Sequence, residues 1–237
     1  TWHRGPSHAL PVLALLGLLV ALGLRRWWPA WRDGPWRWFA AIELALLTHP
    51  LLDAFTVYGT QLSWPWPLPP AMWSSVFIID PLYTLPLLVA CIAAWILRAR
   101  PAARTWLLCG LVASSAYLGW SMLAKLQVER AADVALRELG LAHAPRFSVP
   151  MPFNTLLWRV VAMTPDGHVE GERSLVADRG PMRFRAFSSD VGALAAVRSF
   201  PAVQRLDWFS HGFLKADVRD GELVLSDLRM GSEPDYS

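Results

Sequence analysis

The sequence has 237 residues, of which 54% are hydrophobic and 17% are charged, and a formal net charge of +3. Soluble globular domains carry about 25% charged residues, so these values argue against an ordinary soluble enzyme. Since the 22 Lys and Arg residues form no run, the sequence does not indicate a nucleic-acid-binding surface.

The charges are distributed unevenly along the chain. Residues 1–124 contain 8 Lys or Arg and 4 Asp or Glu, whereas residues 125–237 contain 14 and 15. Four apolar runs fill the first half, at 8–24, 38–57, 76–97 and 105–124. Each approaches the roughly 20 residues that cross about 30 Å of hydrocarbon. We therefore predict a polytopic α-helical membrane domain over residues 1–124, with about four spans.

Arginines in two of the links predict the orientation of these spans. Short loops that stay in the cytoplasm accumulate Lys and Arg. The links after the first and third spans contain Arg25, Arg26, Arg32, Arg37, Arg98, Arg100 and Arg104. The link at 58–75 has no charged residue, as expected of an external loop. The chain is therefore expected to emerge outside the cytoplasm after residue 124.

Tryptophans agree with the predicted span ends. Nine of the 14 lie in the first 73 residues, and their amphipathic rings prefer the depth of the lipid headgroups. Those at predicted span ends are Trp27, Trp28, Trp36, Trp38, Trp64, Trp66 and Trp73.

A charged helix is expected to continue from the fourth span. In residues 121–140 the apolar residues recur at helical spacing with charges between them, and Gly140 suits the position after a helix C-terminus. We assign residues 125–144 to this stalk helix and a linker. Residues 145–237 are predicted to form a small extracytoplasmic α+β domain.

The signals within that domain are mixed. Residues 156–163 are rich in apolar and β-branched residues and are followed by the turn sequence TPDG. This combination predicts a strand at 156–163. A hairpin is predicted around Asp220-Gly221. Between these strands a helix is expected at 189–199, with Ser188 or Ser189 as its N-cap.

Histidines and a carboxylate gather at one end of the first two predicted spans. His3 and His8 precede the first span, while His49 and Asp53 are four residues apart on the second and hence on one helix face. An Asp at the centre of an apolar span costs about 2.5–3.5 kcal/mol on insertion scales and requires a partner. Nitrogen donors and a carboxylate at one depth match the ligands of zinc and other catalytic divalent ions.

These residues also have a structural interpretation. His3 and His8 can face one metal ion only if Gly5-Pro6 forms a turn into the helix, and for this pair alone the sequence favours a polar helix start at headgroup depth. His49 and Asp53 are equally compatible with a structural hydrogen bond between helices.

Two further acids are interpreted from their position. Asp80 stands directly before Pro81 at the start of the third span, which favours a helix N-cap, although a supporting contact close to a metal is also possible. With the predicted orientation it lies on the same side of the membrane as the histidines. Glu43 is expected to form a local ion pair with Arg37.

The same residues belong to motifs of a known family. HRGPSH at 3–8, HPLLD at 49–53 with FTVYGTQ after it, and FIIDPLYT at 77–84 resemble those of a bacterial inner-membrane "metal-dependent hydrolase" family. WFSHGF at 208–213 and SDLRMG at 226–231 resemble the carboxy-terminal domain of one branch. The resemblance thus covers nearly the whole chain. The family's fold grouping is distantly similar to zinc-dependent phospholipase C enzymes.

The resemblance implies a divalent metal, with zinc as the first choice, held by His3, His8, His49 and Asp53. In the family a preceding helix supplies further His and Asp residues, including a Pro-Asp-x-Asp element. Because the chain opens at Thr1 without that helix, we expect an N-terminal part with further ligands upstream. The common form has Ser after the second histidine, so a hydroxyl contact to that ligand is expected to be missing here.

We predict a membrane-bound metal-dependent hydrolase of the bacterial inner membrane. A metal-activated water would attack an ester or phosphoester of a lipid-like or amphipathic substrate. The expected partners are membrane lipid and that substrate, with no organic cofactor. Two alternatives stay open: a non-catalytic membrane protein with a structural His/Asp cluster and a partner-binding external domain, or an ion or solute carrier, in which intramembrane acids near broken helices also occur.

Overall fold

The computed structural model describes residues 4–232 and 235–236 of the chain. Its helices are α1 Leu10–Trp27, α2 Pro35–Ala54, α3 Pro81–Ile96, α4 Ala102–Glu138, α5 Val191–Val197 and α6 Pro201–Ser210. Its strands are β1 Arg146–Pro150, β2 Leu157–Thr164, β3 Gly167–Ser174, β4 Phe184–Ser188, β5 Leu214–Arg219, β6 Glu222–Asp227, β7 Gly231–Ser232 and β8 Asp235–Tyr236. Thr1–Trp73 with Pro201–Gly212 forms one compact unit, and Ser74–Phe200 with Phe213–Ser237 forms the other.

The helices of the apolar half differ as candidate membrane spans. Among the residues that the structure describes, α1 and α4 have the length and apolar composition that a span requires, while α3 is apolar but shorter, with 16 residues. The 20 residues of α2 include the charged residues Arg37, Glu43 and Asp53. Two helices therefore meet the criterion, fewer than the four spans predicted.

The stripe of small residues on α1 allows α2 to approach closely. Leu13, Gly17 and Ala21 recur every four residues and are buried. A Cβ at Gly17 would lie 2.5 Å from Oε1 of Glu43 on α2, so a larger residue here would displace the Glu43 side chain. Within the described part of the chain Glu43 forms no ion pair with Arg37, and that prediction is wrong. The carboxylate instead faces the backbone of α1.

The second unit begins with the antiparallel pair of α3 and α4. A Cβ at Gly110 on α4 would lie 2.3 Å from the Cβ of Ala90 on α3, so the two helices touch where both residues are small. Ser114 Oγ donates a hydrogen bond to the carbonyl of Tyr83 at 2.8 Å. Small residues at such a crossing are typical of helix pairs in membranes.

The continuation of the fourth apolar run as a helix is confirmed, because α4 runs unbroken for 37 residues. At 1.5 Å per residue it is about 55 Å long, which exceeds the roughly 30 Å of a hydrocarbon core. Its C-terminal half packs against β2, where Val128, Ala132 and Leu136 join Trp158 and Val160 in the hydrophobic core. The charged half of α4 thus provides one side of the hydrophobic core that the sheet covers.

A ladder of charges fixes α4 against β1. Lys125, Glu129 and Asp133 recur every four residues on one helix face. Lys125 Nζ donates to Oγ of Ser148 at 2.7 Å and to its carbonyl at 2.9 Å. Arg146 donates from Nε to Glu129 at 3.1 Å and from Nη1 to Asp133 at 3.2 Å. These contacts determine the register of the strand along the helix.

The sheet has the order β1-β2-β3-β4 and is antiparallel throughout. Arg159 on β2 donates from Nε and Nη2 to the two carboxylate oxygens of Glu170 on β3, at 2.6 and 2.9 Å. Its Nη1 donates to the carbonyl of Leu228 at 3.0 Å. This buried arginine therefore attaches the SDLRMG segment to the sheet.

The predicted hairpin is confirmed by β5 and β6, with Asp220 and Gly221 in the turn at positive φ angles of 52° and 81°. A helix lies where the sequence predicts one, but its N-cap is Asp190. The Asp190 carboxylate accepts the N–H of Ala193 at 2.8 Å. The prediction of Ser188 or Ser189 as the cap is therefore wrong by one or two residues.

Candidate metal centre

The first described residues bring His8 close to α2. Pro6–His8 forms a 3₁₀ helix after Gly5, which confirms the predicted turn into α1. Proline suits this first position because its φ is fixed and its missing N–H has no role there. Arg4 adopts a positive φ of 54°, and its carbonyl accepts the N–H of Gln61 at 3.0 Å. The segment is thus tied to the loop that follows α2.

His49 and Asp53 lie in the last two turns of α2. The helix continues through Pro50, and the i, i+4 spacing places both side chains on one face. The His49 side chain is 66% exposed, whereas that of Asp53 is 17% exposed. The carboxylate is therefore shielded, while the imidazole faces outward.

Three atoms that could ligate a metal ion lie close together, one from the segment before α1 and two from α2. His8 Nε2 lies 3.3 Å from His49 Nε2 and 3.5 Å from Asp53 Oδ2. His49 Nε2 lies 3.9 Å from the same Oδ2. Two ligands of a tetrahedral zinc ion at about 2.0–2.1 Å are separated by about 3.4 Å. The donor spacing is thus close to the edges of such a tetrahedron, so these residues fit a zinc ion.

The second oxygen of Asp53 has its own partner. Arg4 Nη2 lies 3.2 Å from Oδ1, and Arg4 Nη1 donates to Thr56 Oγ1 at 2.9 Å. The Arg4 guanidinium also lies 4.9 Å from the centroid of the Tyr58 ring. Arg4 is buried, so its charge is held between the carboxylate, the hydroxyl and the ring. The other carboxylate oxygen of Asp53, Oδ2, faces His8 and His49.

A hydroxyl supports His8 despite the missing serine after it. Ser7 Oγ lies 3.0 Å from His8 Nδ1. When Nδ1 carries the proton and donates it to this hydroxyl, Nε2 presents its lone pair toward Asp53 and His49. The expected loss of a hydroxyl contact is therefore wrong, because the preceding residue provides one.

Two residues of the predicted site are not part of this cluster. His3 lies outside the described residues. Asp80 belongs to the other compact unit, where Oδ1 accepts the N–H of Leu82 at 3.0 Å and Oδ2 accepts the hydroxyl of Tyr117 at 2.8 Å. Its N-cap role is confirmed by the first of these bonds.

One neighbour of the cluster was not predicted at all. Helix α6 belongs to the same compact unit as α1 and α2, and the Phe209 ring packs edge-on against Tyr58 with 5.2 Å between centroids. Pro201 at the first helical position was the available signal for this helix. The contact between this helix and Tyr58 joins residues that are separated by 150 residues of chain, so no local sequence pattern predicts it.

Comparison with known proteins identifies the family. Residues 1–128 match the family model described as YdjM inner membrane protein. The chain belongs to this family. Over 65 residues it is 37% identical to inner membrane protein YbcI of Escherichia coli (strain K12), a stretch that covers 27% of this chain and 36% of that protein. The aligned part is thus about a third of this relative's length, and no solved structure matches.

Membership of the YdjM family confirms the predicted bacterial inner-membrane location. The predicted resemblance to an inner-membrane family is confirmed to that extent. The names of the family and of YbcI state a location and no reaction, so the metal and the hydrolysis stay predictions.

The Arg4–Asp53 pair yields a prediction about stability. Replacing Arg4 by Met leaves the shielded carboxylate without its cation, and we expect a loss of about 3 kcal/mol in the free energy of unfolding. The double variant Arg4→Met/Asp53→Asn removes both charges, so it should recover part of that loss. Denaturation of the purified proteins in detergent micelles measures the losses of Arg4→Met, of Asp53→Asn and of the double variant. A double variant whose loss equals the sum of the two single losses would show that the pair is not coupled.

Proposed function

We propose that this protein is a membrane-bound metal-dependent hydrolase that holds a divalent ion, zinc by preference, through His8, His49 and Asp53. The observation that carries the proposal is the convergence of His8 Nε2, His49 Nε2 and Asp53 Oδ2, with separations of 3.3, 3.5 and 3.9 Å. Two imidazoles and one carboxylate are a ligand set of catalytic zinc sites.

Each neighbouring side chain has a task in this proposal. The ion, when bound, would lower the pKa of a water and polarise the scissile ester or phosphoryl group. Arg4 occupies Oδ1 of Asp53, which favours a monodentate ligand through Oδ2. Ser7 orients the ring of His8. His3 stays a predicted further ligand, which a five-coordinate ion accommodates beside substrate.

The position of the donors along the helices favours a lipid-like or amphipathic substrate. His8 lies two residues before α1 begins, and Asp53 lies one residue before α2 ends. Polar groups at such ends lie near headgroup depth when the helices span a bilayer. The exposed rings of Trp64 and Trp66 in the following loop are typical of the same depth. An ester or phosphoester close to a headgroup would reach this position.

A structural role for the cluster is the second candidate, and the contact between Arg4 and Asp53 favours it. An aspartate paired with a buried arginine has a partner without any metal. In that case the histidines would complete a polar network, and the soluble half would bind a partner protein. A carrier stays an untested prediction.

Metal content distinguishes the first two candidates. We expect purified protein to retain about one zinc per chain by elemental mass spectrometry, since two imidazoles and a carboxylate suffice for a site. His8→Ala and Asp53→Ala should lose the metal and the hydrolysis of a p-nitrophenyl phosphodiester, while His143→Ala, at an exposed histidine of the other unit, should keep both. Wild-type protein that is metal-free and remains so after incubation with zinc would contradict the site. Bound zinc without any hydrolysis would favour the structural role.

We also propose that α1, α2, α3 and the apolar half of α4 all cross the inner membrane, with the soluble half in the periplasm. The arginines between α1 and α2 and between α3 and α4 support this orientation. The close α1–α2 and α3–α4 pairs support the inclusion of α2 and α3 in the bilayer.

Reporter fusions test this arrangement. Alkaline phosphatase is active in the periplasm, so we expect activity when it follows residue 237 or is inserted at residue 66, and none when it is inserted at residue 100. A fluorescent protein that folds in the cytoplasm should give the opposite pattern at the same positions. Cytoplasmic signals after residue 237 would invert the proposed orientation.

A further inference from the structure

The turn between α1 and α2 combines arginine and tryptophan to an unusual extent. Residues 25–38, which we name the Arg-Trp turn, contain four arginines, five tryptophans and a single acid, Asp33. The proposed hydrolase function uses none of these side chains.

The Arg-Trp turn has a defined shape. The rings of Trp28 and Trp38 pack across it with 5.2 Å between centroids. Trp31 at its centre is only 5% exposed, and its N–H donates to the carbonyl of Trp28 at 3.1 Å. The N–H of Trp38 donates to the carbonyl of Gly34 at 3.3 Å. The end of α1 and the start of α2 are therefore held at a fixed distance.

The charges of the turn are available for a ligand. Arg25 and Arg26 in the last turn of α1 and Arg37 in the first turn of α2 are exposed. Within the part of the chain that the structure describes, none of the three forms an ion pair. Arg26 lies over the ring of Trp27, 5.7 Å from its centroid. Three exposed guanidinium groups thus lie in a segment whose single acid, Asp33, cannot neutralise them.

We propose that the Arg-Trp turn binds the phosphate of an anionic phospholipid. Guanidinium groups bind phosphate oxygens in a bidentate manner and accept partial desolvation more readily than ammonium groups. Arginine clusters beside membrane helices attract anionic lipids. Trp27 and Trp36 are 83% and 74% exposed, an arrangement suited to the headgroup layer, where indole rings are stable.

The helix that leads to the turn indicates a lipid rather than a soluble phosphate or a nucleic acid. Leu15, Leu18 and Leu22 of α1 are exposed on its outer surface and require an apolar environment. That surface continues directly into Arg25 and Arg26. A phosphate at the arginines is therefore adjacent to acyl chains on the helix, as in a phospholipid. This inference does not depend on the metal site.

The link between α3 and α4 provides a matched control. It also contains three exposed arginines, Arg98, Arg100 and Arg104, and Arg98 lies over the Trp95 ring at 5.6 Å. Among the described residues, no ring pair across this link is observed. Neutralising either set removes the same charge, so general electrostatic attraction predicts equal effects. A site organised by the Trp28–Trp38 pair predicts unequal ones.

The experiment uses the full chain and measures bound lipid by native mass spectrometry. Wild-type protein is released from nanodiscs of phosphatidylcholine and phosphatidylglycerol, and the ratio of the two retained lipids is recorded. We expect preferential retention of phosphatidylglycerol. Arg25→Gln/Arg26→Gln/Arg37→Gln should reduce this preference about tenfold more than Arg98→Gln/Arg100→Gln/Arg104→Gln, because only the first set loses bidentate contacts with phosphate in addition to the general attraction of its charges.

Substitution by lysine controls for folding and orientation. Arg25→Lys/Arg26→Lys/Arg37→Lys keeps the charges that orient the helices but lacks the guanidinium fork, so we expect an intermediate preference. Trp28→Leu/Trp38→Leu keeps all arginines and should also weaken it. Equal losses in the two glutamine variants, or no preference in the wild type, would overturn the proposal.

Discussion

A carboxylate on an apolar helix is the constraint around which the first unit is organised. A carboxylate that is shielded from water is costly unless it is paired, and partners that the fold supplies offset this cost. Asp53 has them on both oxygens: Arg4 at Oδ1, and His8 and His49 at Oδ2. Because Arg4 and His8 both precede α1, their contacts with the Asp53 carboxylate connect this N-terminal segment to α2. The metal proposal is that Oδ2 shares a cation with the two imidazoles.

In the second unit, helix α4 changes from apolar to charged along its length. Helix α4 is apolar where it packs against α3 and charged where it packs against the sheet. Val128 and Leu136 bury one face against β2, and Glu129 is held by Arg146 of β1 on a neighbouring face. Because α4 is one continuous helix that contacts both α3 and the sheet, displacement or rotation of its apolar half would be transmitted to the sheet.

The sequence predicts what depends on local spacing. The i, i+4 spacing of His49 and Asp53 places them on one face, and the turn at Asp220-Gly221 predicts the last hairpin. Contacts that join distant segments have no such signal. Arg4 contacts Asp53 only because the segment before α1 packs against α2. Phe209 contacts Tyr58 only through the tertiary fold. The apolar run at 38–57 forms most of α2, but this helix contains Glu43 and Asp53 and does not have the apolar composition that identifies α1 and α4 as candidate spans.

X-ray absorption spectroscopy at the zinc edge is the most direct test of the central claim. The spectrum of zinc-loaded, full-length protein should show nitrogen and oxygen ligands at about 2.0–2.1 Å, with outer-shell scattering from at least two imidazole rings. His8→Ala should retain no zinc, and in His49→Ala, which removes the most exposed of the three donors, the imidazole scattering of any retained zinc should decrease by one ring. A wild-type spectrum without imidazole scattering, or one unchanged in both variants, would contradict a metal centre at His8, His49 and Asp53.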